Sequence, residues 1–102
     1  MIRKAFVMKL YEGNEDEYQR RHNPIWPELE VVIKAHGVHN YSIFRRGLEL
    51  FAYAEIEDEA RWASLADEPV VRRWWEHMAP LMESNPDASP MAVDIVEVFH
   101  LD

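Results

Sequence analysis

The chain of 102 residues has no cysteine and only three glycines. Without cysteine it has neither a disulfide framework nor thiolate chemistry, which suits a reducing compartment. Three glycines leave no glycine-rich phosphate loop. No apolar run approaches the ~18 residues of a membrane span, and residues 1–6 lack the apolar core of a signal peptide. We therefore expect a cytoplasmic protein with no membrane segment.

Positive charge is also scarce, since 11 lysines and arginines face 19 aspartates and glutamates, for a net charge of −8. That balance opposes phosphate backbones and anionic membranes, so we expect no nucleic-acid or membrane partner. No HExxH motif is present, and we expect no metal site. A hydrophobic content of 48% is enough for one core, and residues 1–102 are predicted to form a single domain.

Periodicity predicts an α+β fold with the ferredoxin-like order β-α-β-β-α-β. The predicted helices occupy residues 14–36, with a break at Pro24, and residues 57–78, with a break at Pro69. We expect Asn23 to cap the restarted helix, with Pro24 in its first turn. The predicted strands are residues 2–10, 39–45, 50–56 and 91–101.

The first and last predicted strands are apolar on both faces. A four-stranded sheet with helices on one side normally leaves its other face polar. Because both faces of these strands are apolar here, something must cover the second face, and another copy of the chain is the simplest cover. We expect a homodimer that packs sheet against sheet.

Tyr18 and His22 are four residues apart, which places them on one face of a helix that is interrupted directly afterwards by Asn23-Pro24. Imidazole is the side chain whose usual pKa lies nearest neutrality, so His22 is the candidate acid/base. In a purely structural alternative, His22 caps carbonyls freed by Pro24 and Tyr18 only packs.

Trp74 and Trp75 project about 100° apart on a helix, so one can join the core while the other faces a cavity. An indole wall suits a sugar, whose C–H face stacks on aromatic rings. A large core with a dimer contact explains the pair equally well. Tyr41, on the second predicted strand, has the same two interpretations.

Several segments together resemble one family from end to end. Residues 17–29 read Glu-Tyr-Gln-Arg-Arg-His-Asn-Pro-Ile-Trp-Pro-Glu-Leu, residues 72–75 read Arg-Arg-Trp-Trp, and residues 85–90 read Asn-Pro-Asp-Ala-Ser-Pro. With His36-Gly37 and Glu97-Val98-Phe99, these segments resemble the L-rhamnose mutarotase family. The first of them is long and unusual, which makes it a specific signal.

The resemblance implies a dimeric α+β barrel of ferredoxin-like subunits that interconverts the α and β anomers of L-rhamnose without metal or cofactor. It implies that His22 is the principal acid/base, and that Tyr18, Tyr41, Trp74 and Trp75 contact the sugar. We expect His22 to protonate the ring oxygen on opening and to take the proton back on closure, with Tyr18 or a water deprotonating O1. A cofactor-less oxygenase of the same fold, or a sugar-binding module without catalysis, remains as an alternative.

Overall fold

A computed structural model describes all residues, 1–102. Its strands are β1 (Ile2–Lys9), β2 (Val38–Arg46), β3 (Glu49–Ile56) and β4 (Val93–Ile95), and its helices are α1 (Glu15–Arg21), α2 (Pro27–Ala35), α3 (Glu59–Ala63) and α4 (Pro69–Met78). Single 3-10 turns follow α3 at Ser64–Asp67 and α4 at Ala79–Leu81. The element order confirms the predicted β-α-β-β-α-β pattern.

The four strands form one antiparallel sheet in the order β2-β3-β1-β4. Central strand β1 pairs with β3 along its whole length, from Ile2 opposite Ile56 to Lys9 opposite Glu49. This is the ferredoxin-like arrangement. Gly47 allows the short turn between β2 and β3, because its φ of 59° lies in the left-handed region that glycine adopts freely.

Alternate residues of β1 define the two faces of the sheet. Phe6 and Met8, followed by Leu10, are buried beneath the helices, as their spacing predicts. The helix-covered face carries two packed clusters, one centred on β1 with α4 and the other beneath α2. Trp62 and Trp74 pack against both clusters and so join them.

The opposite face of the sheet is not covered by any element of the subunit. Pairing places apolar residues side by side across its middle, namely Ala5, Val7, Phe51, Tyr53, Phe44, Val93 and Ile95. Val93 is 69% exposed and Ile95 is 45% exposed. Charged residues rim this open face, at Arg3 and Glu55 on one side and at Lys9 and Glu49 on the other. The open face is therefore an apolar surface with a polar border.

The last predicted strand was too long. Residues 91–101 alternate as a strand should, but only Val93–Ile95 pair with β1, and residues 96–102 are exposed and in no strand. Arg3 holds this tail through an ion pair with Glu97, Nε to Oε2, of 2.7 Å. Apolar alternation indicates burial in some environment, whereas a strand also needs a hydrogen-bonded partner, which the tail lacks within one subunit.

The start of the second helix was also predicted wrongly. α2 begins at Pro27 with Trp26 at the N-cap, three residues later than expected. The Asn23 side chain instead donates from Nδ2 to the carbonyl of Gln19 at 3.0 Å, closing the end of α1. Asn23 and Pro24 are joined by a cis peptide bond. Pro27, not Pro24, thus occupies the first helical position, where the missing N–H costs nothing.

Candidate active site

A cavity of about 1540 Å³ opens between the helix-covered face of the sheet and the helices. The five residues predicted to form a site all line it: Tyr18, His22, Tyr41, Trp74 and Trp75. They come from α1, its C-terminal cap, β2 and α4. Tertiary packing therefore gathers residues that are up to 57 positions apart along the chain into one cavity wall.

His22 is fixed by its own helix. It is the C-cap of α1, and its Nδ1 lies 2.8 Å from the carbonyl oxygen of Tyr18. Because a carbonyl oxygen only accepts, Nδ1 carries the proton and donates it. The neutral ring consequently presents Nε2 as an unprotonated acceptor, and no protein group hydrogen-bonds to that nitrogen. His22 lines the cavity, and its proton-accepting nitrogen has no competing partner in the protein.

The surroundings of His22 favour its neutral form. Burial lowers the pKa of the imidazole below its usual 6.5, and the hydrogen bond to the Tyr18 carbonyl opposes that shift only in part. The Trp74 ring meets the His22 ring edge-on, with 5.3 Å between centroids. His22 is therefore a base at neutral pH, held in one orientation by a main-chain oxygen and an indole.

Tyr18 stacks beside His22 at 4.4 Å between ring centroids, confirming that the two lie on one helix face. Only 7% of Tyr18 is exposed, and its hydroxyl makes no hydrogen bond within the protein. Burial raises the pKa of this phenol, and the nearby Tyr41 adds to the shift. Burial therefore favours the protonated phenol, whose O–H can donate a hydrogen bond to a ligand in the cavity.

Tyr41 approaches the cavity from β2. Burial of its hydroxyl raises the pKa to about 12, although 38% of the residue as a whole is exposed. Phe6 and Trp62 flank its ring, with centroids 6.4 Å and 5.9 Å away. Tyr41 is thus a second protonated phenol on the wall of the same cavity.

The two neighbouring tryptophans of α4 have different surroundings. Trp74 touches His22 and also meets Trp26 edge-on at 5.1 Å, and it packs against both core clusters. Trp75 packs only against the cluster beneath α2. Both line the cavity, but Trp74 is the one in contact with the imidazole.

Trp62 and Lys4 also line the cavity, and sequence reasoning missed both as site residues. Trp62 lies in α3, which has just five residues, and its ring reaches across to Phe6, with 5.8 Å between the ring centroids. The sequence pattern could have identified Lys4 as a site residue, because Lys4 falls on the buried side of β1, in phase with Phe6 and Met8. A lysine in a buried alternation is unusual enough to mark a site.

No group of three or more histidine, aspartate or glutamate side chains is arranged to hold a metal ion. None of the helices is long and apolar enough to cross a membrane. The side chains that line the cavity include two imidazoles, two phenols, three indoles, two ammonium groups and four carboxylates, namely His22, His39, Tyr18, Tyr41, Trp62, Trp74, Trp75, Lys4, Lys34, Glu15, Glu30, Glu59 and Asp94. The fold and the cavity define a ferredoxin-like α+β protein equipped for acid–base chemistry on a small ligand with apolar and hydroxyl faces.

Comparison with known proteins narrows that class. The family model for L-rhamnose mutarotase matches residues 3–101. L-rhamnose mutarotases from Opitutus terrae and Pectobacterium atrosepticum are 62% and 56% identical, each match covering all of both chains. The crystal structure of an L-rhamnose mutarotase from Formosa agariphila superposes with a TM-score of 0.92 at 38% identity, covering all of both chains. The chain belongs to the L-rhamnose mutarotase family.

A more distant structure shows the fold alone. A putative antibiotic biosynthesis monooxygenase from Nitrosomonas europaea has a TM-score of 0.65 at 11% identity, covering 96% of this chain and all of its own. Such a likeness reflects a shared ferredoxin-like scaffold that serves several chemistries.

Proposed function

We propose that this protein is an isomerase that interconverts the α and β anomers of L-rhamnose by opening and closing the pyranose ring. The observation that carries the proposal is the His22 imidazole, which lines the cavity, is oriented through Nδ1 by the Tyr18 carbonyl at 2.8 Å, and makes no hydrogen bond to protein through Nε2. Membership of the L-rhamnose mutarotase family supports the choice of substrate.

The reaction requires one proton to leave O1 and one to reach the ring oxygen, followed by rotation about C1–C2 and the reverse transfers. Both oxygens are bonded to C1, so a single base beside that carbon can serve both. Neutral His22 accepts the O1 proton at Nε2. The imidazolium then delivers that proton to the ring oxygen as the bond between C1 and the ring oxygen breaks and C1–O1 becomes the carbonyl of the aldehyde. Closure on the other face of the aldehyde runs the same transfers backwards.

The other four predicted site residues hold the sugar. Tyr18 and Tyr41, kept as phenols by their raised pKa values, donate hydrogen bonds to sugar oxygens. Of the two, Tyr18 is stacked on His22 and so lies closer to the reacting carbon. Trp74 and Trp75 provide apolar walls for the C–H face of the pyranose. His22 thus carries the proton in this proposal, and Tyr18 orients the sugar beside it.

We further propose that residues 1–102 act as one mutarotase domain in a cytoplasmic homodimer that packs open face to open face. The apolar middle of the open face, with Val93 exposed by 69%, supports this packing, because so large an apolar surface is costly to leave in water. Its charged border, acidic and basic along β1 and β3, is suited to a self-complementary contact. Two such sheets would make the dimeric α+β barrel.

The direct test is saturation-transfer NMR between the two anomeric signals of L-rhamnose, repeated with other 6-deoxy sugars. We expect the parent protein to accelerate exchange. His22→Ala should lower the rate by about 10² to 10⁴-fold, the usual contribution of a positioned proton carrier. His100→Ala is the matched control, because His100 lies on the exposed tail, outside the cavity, and should leave the rate unchanged.

The outcomes separate the alternatives. Rhamnose binding, seen as a change in tryptophan fluorescence, without faster exchange would indicate a sugar-binding module. Oxygen uptake with aromatic substrates in place of exchange would indicate an oxygenase. Full activity in His22→Ala would remove the imidazole from the mechanism while leaving the family assignment intact.

A further inference from the structure

Away from His22, the cavity wall carries the Lys4 ammonium group between two carboxylates. We propose that Lys4 and Asp94 bind hydroxyl groups of the sugar and so help determine which sugars the site accepts. This inference rests on the proposed function, because it assigns a second set of contacts to the same ligand.

Strand pairing directs both side chains into the cavity. Lys4 lies opposite Ala54, and Asp94 lies opposite Phe6, so both share the helix-covered face of the sheet. Both line the same cavity as His22. Lys4 occupies a position that apolar side chains take elsewhere on this side of β1. Covering its ammonium group from water costs free energy, so a lysine at this position is unusual.

The Lys4 ammonium group is mostly covered but not hydrogen-bonded. Only 15% of its side chain is exposed, and Nζ lies 3.5 Å from Glu59 Oε2 and 3.6 Å from Asp94 Oδ1. These distances are those of ion pairs, longer than the 2.7–2.9 Å of charge-assisted hydrogen bonds. No other protein acceptor takes its three N–H donors, and Nζ is not sealed from solvent. The donors therefore remain available to a ligand in the cavity.

A pair of opposite charges suits a sugar hydroxyl, which donates one hydrogen bond and accepts others at the same time. Lys4 can supply the donor and Asp94 the acceptor. Trp62 lies next to them, with Lys4 Nζ 5.9 Å from its ring centroid, and Tyr41 lies 5.9 Å beyond Trp62. Indole and phenol rings thus line the wall between the charged pair and the part that holds Tyr18 and His22.

The test compares Lys4→Met with Lys4→Arg and with Arg73→Met in the 102-residue protein. Methionine keeps the unbranched stem of lysine and removes the charge, while arginine keeps both charge and donors. Arg73→Met is the control for the loss of one positive charge, because Arg73 is exposed on α4, does not line the cavity and is not on the open face. Rhamnose affinity is measured by tryptophan fluorescence, and kcat and KM by anomer exchange, with thermal unfolding and oligomeric state recorded for each variant.

We expect Lys4→Met to weaken rhamnose binding and to raise KM by about 10- to 100-fold, the effect of losing hydrogen bonds to a charged group. The kcat value should change much less, and Lys4→Arg should recover most of the affinity. Asp94→Asn should weaken binding to a smaller extent. Rhamnose analogues that each lack one hydroxyl sharpen the assignment, since the analogue missing the contacted hydroxyl should bind parent and Lys4→Met equally.

Unchanged affinity in a folded Lys4→Met protein would overturn the inference and leave Lys4 as a link between β1 and α3. A loss of thermal stability with unchanged affinity has the same meaning. A parent that neither binds rhamnose nor exchanges its anomers would overturn the proposed function, and this inference with it. An active parent with an unaffected Lys4→Met variant would overturn the inference alone.

Discussion

The two faces of the one sheet are both apolar, yet they differ in what they are equipped to do. The helix-covered face carries a cavity with polar groups that make no hydrogen bond within the protein. His22 Nε2 and the Tyr18 hydroxyl have no partner, and the Lys4 ammonium group has only ion pairs of 3.5 Å and 3.6 Å. The open face carries aliphatic and aromatic side chains inside a charged border. Unpaired polar groups inside an apolar wall indicate ligand chemistry, whereas an apolar patch with a polar rim indicates association.

The largest expected effect is the loss of dimer association when the open face is altered. Val93→Asp should weaken dimer association by roughly 100-fold or more, because it places unpaired charges in a dry interface. Val31→Asp on the outer side of α2 is the control, since Val31 is 66% exposed and Val93 is 69% exposed. Sedimentation equilibrium measures both. A parent that is monomeric, or a Val93→Asp protein that stays dimeric, would contradict the open-face interface.

The next effect separates the two tryptophans of the helix-covered side. Trp74→Ala and Trp75→Ala should each lower the free energy of unfolding by about 2–4 kcal/mol, because Trp74 packs on both core clusters and Trp75 packs on the cluster beneath α2. The two variants should differ in rhamnose affinity, with the larger loss in Trp74→Ala, because Trp74 contacts His22. Denaturant unfolding shows that both variants remain folded, and fluorescence titration measures the difference in affinity. A larger loss of affinity in Trp75→Ala would assign the sugar wall to Trp75.

Tyr18→Phe should lower the exchange rate by about 2- to 10-fold, the effect of one lost neutral hydrogen bond. This is less than expected for His22→Ala, because the phenol orients the sugar and does not carry the transferred proton. Tyr11→Phe is a control, since that exposed phenol does not line the cavity. Exchange by NMR measures both, and a rate equal to that of the parent would show that the Tyr18 hydroxyl is idle.

The smallest effect concerns pH. Burial lowers the pKa of His22 below its usual 6.5, so the neutral base persists at pH values where a free imidazole is already protonated. Exchange should therefore fall to half of its maximum only at a pH below 6.5, as the imidazole becomes charged. The pH profile of kcat/KM is the measurement. A half-maximal point above pH 6.5 would contradict the neutral base.

Local patterns were sufficient where one element determines the outcome. The i, i+4 spacing alone brought the Tyr18 and His22 rings to 4.4 Å, because helix geometry fixes that neighbour relation. Prediction failed where two local partners compete, as for Asn23, whose amide closes α1 and does not cap α2. It failed again for residues 96–101, whose alternation cannot specify whether a hydrogen-bonded partner is present in the same subunit.

The sequence by itself determined the element order, the two apolar faces of β1 and the candidacy of His22, because these follow from periodicity and from side-chain chemistry. Only the tertiary structure decided that Nδ1 of His22 is bound and Nε2 is free, and that Lys4 and Trp62 share the cavity with Tyr41. Those facts depend on which atoms meet across β1, α3 and α4. A sequence pattern does not specify the distances between side chains of different elements, because strand pairing and helix packing set those distances.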